Sequence, residues 1–304
     1  MVSLQGSLAV VAGRVTATNT ALAQAFEQAG VEAAVLTAEE ACERLGPGDV
    51  ALGRLDVLAE LDGVEPGLWA LGRLEGRGVA VLNRAGSLLA THDKLATALR
   101  LAACGLPHPR TAHVDESTAL PDLEGALVVK PRFGSWGQDV VLCRNQRTLR
   151  RCLRRLRHRA WFRRQGALVQ ELVEPQGSDL RIVVAGGEAV GAVERVAAAG
   201  EWRTNVALGG RRRAVVPAQT ACDLAIEAAR AVGADLVGVD LLPDGRGGHV
   251  VLELNGAVDF TQEYALDGAD VFARAARALT SSGYAQGDEE EAEEAAALAA
   301  GARP

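Results

Sequence analysis

The chain has 304 residues, 48% of them apolar, with a mean hydropathy of +0.07, enough for two or three subdomains and a sizeable core. No run approaches the roughly 20 apolar residues of a membrane span, and "MVSLQGSLAVVAGRVTATN" has no basic start before its apolar run, so it reads as a first strand and turn, not a signal peptide. The net charge of −7 sits mostly in residues 285–304, where Asp288, Glu289, Glu290, Glu291, Glu293 and Glu294 face Arg303 alone; the near-neutral body and acidic whole disfavour nucleic acid as a partner.

Residues 1–90 alternate short apolar runs with helical stretches. "SLAVVAG" reads as a strand and "NTALAQAFEQAG" as a helix with Asn19 near its start and Gly30 past its end. "VEAAVLTA" is strand-like and precedes a short helix around 38–45; "DVALGRL" is a strand, "GLWALGRLEGRG" a helix and "VAVLNR" a strand. This alternation predicts a parallel sheet with helices on its faces.

"THDKLATALRLAACGLP" reads as one capped amphipathic helix. "GALVVKP" and "VVLC" form a hairpin over the glycine-rich "RFGSWGQD", and residues 146–165 form a basic helix. "ALVQELV" is a strand, and "DLRIVVAGGEAVGAVERV" is two strands turning at Gly186-Gly187. Helix 220–233, the hairpin "VGVDLLPDGRGGHVVLELN" and helix 270–280 follow. The Ala/Glu-rich tail from about 285 is expected to be disordered or a frayed helix. Five scattered cysteines without a CxxC pair favour reduced core thiols and a cytoplasmic location.

Only two of the 32 basic residues are lysine, Lys94 and Lys130. Where a compact ammonium must reach a phosphate, arginine is not equivalent, so two lysines that survive a strong arginine bias are candidates for chemistry. Lys130 closes a strand just before Gly134 and Gly137, whose backbone can fold over an anion. There is no GxxxxGK[ST] motif, and such a turn is also an ordinary hairpin.

Asp240 lies on one strand of the last hairpin, with Glu253 and Asn255 on the other. Residues two apart share a strand face, so the three form an all-oxygen cluster of the kind that holds Mg²⁺ together with substrate phosphates; a solvated sheet edge is the alternative. Gln170-Glu171 ends a strand, Asp179 and Arg181 open the next, and "EWRTN" adds Arg203 and Asn205. Singly, each of these is an ordinary surface residue.

The ordered segments "HDK", "VVKP–FGSWG", "VQELVE–GSDLRIVV", "VERVAAAGEWRTN–GG", "GVDLL" and "LELN" resemble the ATP-grasp ligases, and within them the RimK-type α-L-glutamate ligases and the LysX-type enzymes. The resemblance spans roughly 92–256 and is weaker before it. It implies an α/β ATP-grasp fold: an N-terminal α/β domain (1–91), a small grasp subdomain with the glycine-rich loop (92–168), a C-terminal grasp subdomain with the metal site (169–284), and the tail (285–304).

The same resemblance implies roles. Lys94 and Lys130 contact ATP phosphates, and Gly134, Ser135, Trp136 and Gly137 belong to the covering loop. Glu171, Leu172 and Val173 hold adenine, and Asp179 lies on the ribose side. Arg181, Arg203 and Asn205 lie near the γ-phosphate and the acyl-phosphate, with Arg195 also on the nucleotide side. Asp240, Glu253 and Asn255 hold two ions, Mg²⁺ or Mn²⁺. The implied activity is ATP-dependent carbon–nitrogen ligation through an acyl-phosphate, adding L-glutamate to a carboxylate of a protein tail or small molecule.

A LysX-type ligase joining 2-aminoadipate to an acidic carrier protein is the second reading, and a nucleotide-binding regulator without activity the third. A homo-oligomer is expected. Arg84, Arg195 and Arg203 are expected to supply cations for an acidic amino-acid donor. At the substrate end "VALGG" puts Ala207 and Leu208 where the RimK type carries a basic or His-containing stretch. The ten arginines of 144–165 read as a solvated helix or as a docking face for an acidic polypeptide.

Overall fold

The structure, a computed structural model, describes residues 6–281 apart from position 119; the expected tail, 285–304, lies outside the described residues. The N-terminal part contains β1 (Leu8–Val11), α1 (Ala17–Gln28), β2 (Ala33–Leu36), α2 (Ala38–Arg44), β3 (Val50–Gly53), α3 (Leu68–Glu75) and β4 (Ala80–Leu82). The four strands are all parallel, in the order β2-β1-β3-β4, as the alternation predicts. Thr16 caps α1 by accepting from Asn19 N at 3.1 Å, and Thr37 and Glu40 form a capping box on α2.

The expected single helix around "THDKL" is two: α4 (Ala85–His92) and α5 (Lys94–Ala103). They break at Asp93, whose extended backbone lets its carboxylate cap α5 by accepting from Leu95 N at 3.0 Å. Arg132 grips the same carboxylate with two N–H groups, and Lys94 N donates to Arg132 O at 3.1 Å. Lys94 is therefore the first residue of a helix locked to the strand end that carries Lys130.

A four-stranded antiparallel sheet follows, in the order β5-β8-β6-β7: β5 (Thr111–Val114), β6 (Leu127–Pro131), β7 (Val141–Cys143) and β8 (Ala167–Glu171). β8 runs through the expected boundary at 168 and stays with this sheet. The basic helix divides into α6 (Gln146–Leu156) and α7 (Ala160–Gln165), because Trp161 and Phe162 must turn inward to join the core that Leu149, Cys152 and Leu156 enter from α6.

The third sheet is antiparallel, order β11-β10-β9-β12-β13: β9 (Ser178–Ala185), β10 (Glu188–Val196), β11 (Arg211–Ala214), β12 (Leu236–Pro243) and β13 (His249–Asn255). α8 (Gln219–Val232) covers one face, and α9 (271–281) completes the described chain. One core joins β1 and α1 to Val183 and Ala185 of the third sheet and to Val258, Phe260 and Tyr264, which follow β13. The small sheet has its own core, built on Leu127, Val129, Val169 and Phe162. At about 1.5–3 kcal/mol per fully buried large apolar side chain, each cluster can hold its layer together.

Candidate active site

The small and C-terminal sheets face each other across a cleft. Its apolar lining includes Val128, Leu172, Leu242 and Leu252, a surface suited to a flat heterocycle. Glu171, Val173 and Asp179 share this lining. Glu171 also pairs with Arg110 at 3.1 Å on the outer side.

A second cavity lies beyond the first, among the loop at Ser135–Trp136, Arg181, Arg212, Asn255, Asp259 and Tyr264. The two share Lys94, Gly134, Ser135, Arg195, Asn205 and Glu253. Those six residues mark a junction where groups held in the two cavities would meet.

Lys94 stands at that junction, and Lys130 lines the first cavity only, near enough for Lys94 and Glu253 to act on its charge. Lys94 Nζ lies 3.5 Å from Glu253 Oε2 and donates to Gly134 O at 2.6 Å. Lys130, on β6, is buried. Burial brings its pKa down to about 8, and Lys94 adds to the fall, while Glu253 and Asp240 oppose it. The glycine-rich loop enters the left-handed region at Gly134, Trp136, Gly137 and Asp139. A side chain on Gly137 would put its Cβ 2.8 Å from Asn205 Oδ1. Arg203 fastens the loop from the other sheet: its guanidinium donates to Gly137 O at 3.1 Å while pairing with Glu201. Trp136 is half exposed and lines only the second cavity.

Asp240 and Glu253 oppose each other in the β12–β13 ladder, beside a bulge at Leu252. Although β13 is the outer strand, α4 and α5 cover it, so Glu253 is not a solvated edge acid. Asp240 itself is buried and clasped. Arg181 donates Nε to Oδ1 at 2.6 Å and Nη2 to Oδ2 at 2.8 Å, and Arg195 Nη2 reaches Oδ2 at 2.8 Å. Burial alone would raise its pKa, but the two guanidinium groups outweigh it and hold the carboxyl at about 2. Asp179 is likewise engaged, by Arg195 and by Thr204 Oγ1 at 2.7 Å. As arranged, Glu253, approached by Lys94 at 3.5 Å, and Asn255, whose Oδ1 accepts from Ala257 N at 3.1 Å, are the oxygen donors outside the guanidinium clasp, and Asp240 would have to give up a guanidinium to join them. The donor set, two carboxylates and an amide, is otherwise the hard-oxygen chemistry that suits Mg²⁺.

Arg84 corrects an expectation. It lines neither cavity and pairs with Glu75 at 3.0 Å on the outside of the N-terminal sheet; Arg212, reached through a strand the sequence reading missed, lies at the second cavity instead. His92, Tyr264 and Asp259 were missed as well. "HDK" contained the first, and the short-range pattern around the other two carried no signal.

The fold defines the class: a RimK domain ATP-grasp protein from Sphaerobacter thermophilus superposes with a TM-score of 0.66 at 22% identity, over 90% of this chain and 98% of that one. D-alanine–D-alanine ligase from Bacillus anthracis gives 0.68 at 16% identity, over 94% and 99%. Residues 91–279 match the family described as RimK-like ATP-grasp domain, and the chain belongs to that family. A probable alpha-L-glutamate ligase from Rhodopirellula baltica is 31% identical over 252 residues, 78% of this chain and 61% of its own length. Human beta-citrylglutamate synthase B is 32% identical over 224 residues, 70% of this chain and 57% of its own length. The chain thus spans roughly three fifths of these relatives. No helix among the described residues is long and apolar enough to cross a membrane.

Proposed function

We propose that the protein is an ATP-dependent ligase that joins an acidic amino acid, L-glutamate foremost, to a carboxylate through an acyl-phosphate. The observation that carries this reading is the junction of an apolar cleft with a cationic cavity at Lys94, Arg195, Asn205 and Glu253. A carboxylate oxygen attacks the γ-phosphorus of ATP, the bond to ADP breaks, and the acyl-phosphate forms. The amine then attacks the acyl carbon, phosphate leaves with the bonding pair, the amine proton is lost, and the amide remains.

In this reading Leu172 and its neighbours hold adenine, Asp179 lies toward the ribose, and Lys94 and Lys130 hold phosphate oxygens. Arg203, Asn205 and the glycine-rich loop enclose the transferred group, which protects the acyl-phosphate from water. Glu253 and Asn255, with Asp240 once freed from a guanidinium, would hold Mg²⁺. Bound there, the ion offsets charge on the phosphates. Two ions are part of the proposal. Arg181 and Arg212 offer the second cavity fixed cations for carboxylates.

For the acceptor we favour an acidic polypeptide. Of the ten arginines in 144–165, only Arg159 and Arg164 pair with acids among the described residues, Asp139 and Asp62. A relative from Sulfurisphaera tokodaii, 29% identical, is named glutamate–LysW ligase ArgX. The test is phosphate release with ATP, Mg²⁺ and each of the twenty amino acids plus 2-aminoadipate, with and without poly-glutamate. Glutamate or 2-aminoadipate should drive release, and alanine and lysine should not; release driven best by a basic or small neutral amino acid would refute the donor assignment.

A further inference from the structure

Three buried side-chain atoms among the described residues have no hydrogen-bond partner: Arg54 Nη1, His92 Nε2 and Tyr264 Oη. They come from distant parts of the sequence, the end of β3, the end of α4 and the turn at Gln262–Tyr264, and yet they gather in one place. His92 and Tyr264 line the second cavity. Arg54 stands behind them, bonded to Asn19 Oδ1 at 3.0 Å and to Val258 O at 2.9 Å, with its charge acting on the His92 ring. An unsatisfied buried polar atom costs about 1–3 kcal/mol. Scattered orphans would be packing accidents; two in the wall of one cavity, with a third behind them, point to polar groups kept for something that binds there.

The roles follow from the chemistry of each atom. The Leu55 carbonyl bears on the His92 ring. A proton on Nδ1, toward that carbonyl, would leave Nε2, the unpartnered nitrogen, with a lone pair. Burial keeps this imidazole neutral, with its pKa down at about 3, so it is a hydrogen-bond acceptor and not a base that takes the amine proton. Tyr264 Oη is a donor on a ring whose face carries the guanidinium of Arg212, 5.8 Å from the centroid; that guanidinium also pairs with Glu263 at 3.2 Å.

We propose that His92 and Tyr264 determine specificity for the amine donor, His92 Nε2 accepting from the amine N–H and Tyr264 Oη donating to a carboxylate that Arg212 also meets. This rests on the amino-acid ligase reading above and adds to it the residues that recognise both ends of a zwitterion. Attack on the acyl-phosphate needs the amine lone pair aimed across the junction at Lys94 and Glu253. An acceptor at the far side, two residues before Lys94, would fix that aim through one N–H.

The experiment measures Michaelis constants for L-glutamate and for ATP in the wild type and in Tyr264→Phe, His92→Asn and His92→Gln. Asn keeps a group near the Nδ1 position for the Leu55 carbonyl but loses the acceptor at Nε2; Gln restores an oxygen near that point. Tyr264→Phe and His92→Asn should each raise the glutamate KM at least tenfold, with the ATP KM within twofold and the melting temperature unchanged or higher. His92→Gln should recover part of the loss. An unchanged glutamate KM in both variants, as expected if buried water satisfies these atoms, overturns the proposal. If the wild type turns over ATP with another amino acid and not glutamate, the donor assignment falls, and the KM of that amino acid decides this proposal by the same criterion. If no amino acid drives turnover, both fall together.

Discussion

Lys94 and Glu253 meet at 3.5 Å, Nζ to Oε2, from a helix N-terminus and a sheet edge more than 150 residues apart in the chain. The pair is only partly screened from solvent, at 12% and 23% side-chain exposure, so its own contribution to stability is small. Its value lies in position: it holds an ammonium and a carboxylate at the junction of the two cavities.

Lys130→Arg should abolish ATP turnover although it keeps the charge. Lys130 is buried between Lys94 and the carboxylates of Glu253 and Asp240. A guanidinium is larger and cannot lose its proton there, and overpacking costs about 1–3 kcal/mol. Phosphate release at saturating ATP is the measurement, and near-normal turnover with a normal ATP KM would remove Lys130 from the phosphate site.

Glu253→Gln should lower Mg²⁺-dependent turnover by two orders of magnitude or more, about 3 kcal/mol of barrier, with little change in melting temperature, because the residue is not part of a packed core. Turnover within threefold of wild type would remove Glu253 from the metal site.

Gly137→Ala tests the loop. The residue has φ +71° and no room for a Cβ beside Asn205, so alanine there costs about 1 kcal/mol of backbone strain and displaces the loop from Arg203. Water should then reach the acyl-phosphate. The ratio of phosphate released to amide formed should rise clearly above one, and a ratio unchanged from wild type would mean the loop does not exclude water.

His92 gives a pH prediction. Its folded pKa, about 3, lies below the ordinary 6.5, so the unfolded chain binds the proton first. Its contribution is full above pH 6.5 and is lost as pH falls from 6.5 toward 3, at up to about 1.4 kcal/mol per pH unit. Denaturant titrations at pH 7.5, 6.5 and 5.5 should show a shallower loss in His92→Asn than in the wild type; parallel curves would contradict a buried neutral imidazole.

The parallel sheet, the hairpin around the loop and the last hairpin were legible because short apolar runs and stretches of period 3.6 are set off by turn residues. The two lysines were legible through a compositional bias. What escaped depends on other parts of the chain. β11 reads "RRRA" and is exposed throughout, so only its pairing with β10 makes it a strand. The clasp on Asp240 needs the β9–β12 register that sets Arg181 opposite it; along the sequence, Asp240 looks like a free carboxylate. The helix break at Asp93 is decided by Arg132, nearly forty residues away.

The shared core has a consequence for how this molecule could be re-engineered. Asn83, at the end of β4, accepts from Asp235 N and Leu236 N and donates to Gly53 O and Leu236 O, so N-terminal strands and the C-terminal sheet are stitched as well as packed. The N-terminal segment is therefore not an interchangeable module. A chimera that swaps residues 6–82 alone would strip Val258, Phe260 and Tyr264 of their packing partners and misfold, whereas the small sheet, whose core is largely its own, is the part that could be transplanted between relatives or tilt as a rigid jaw.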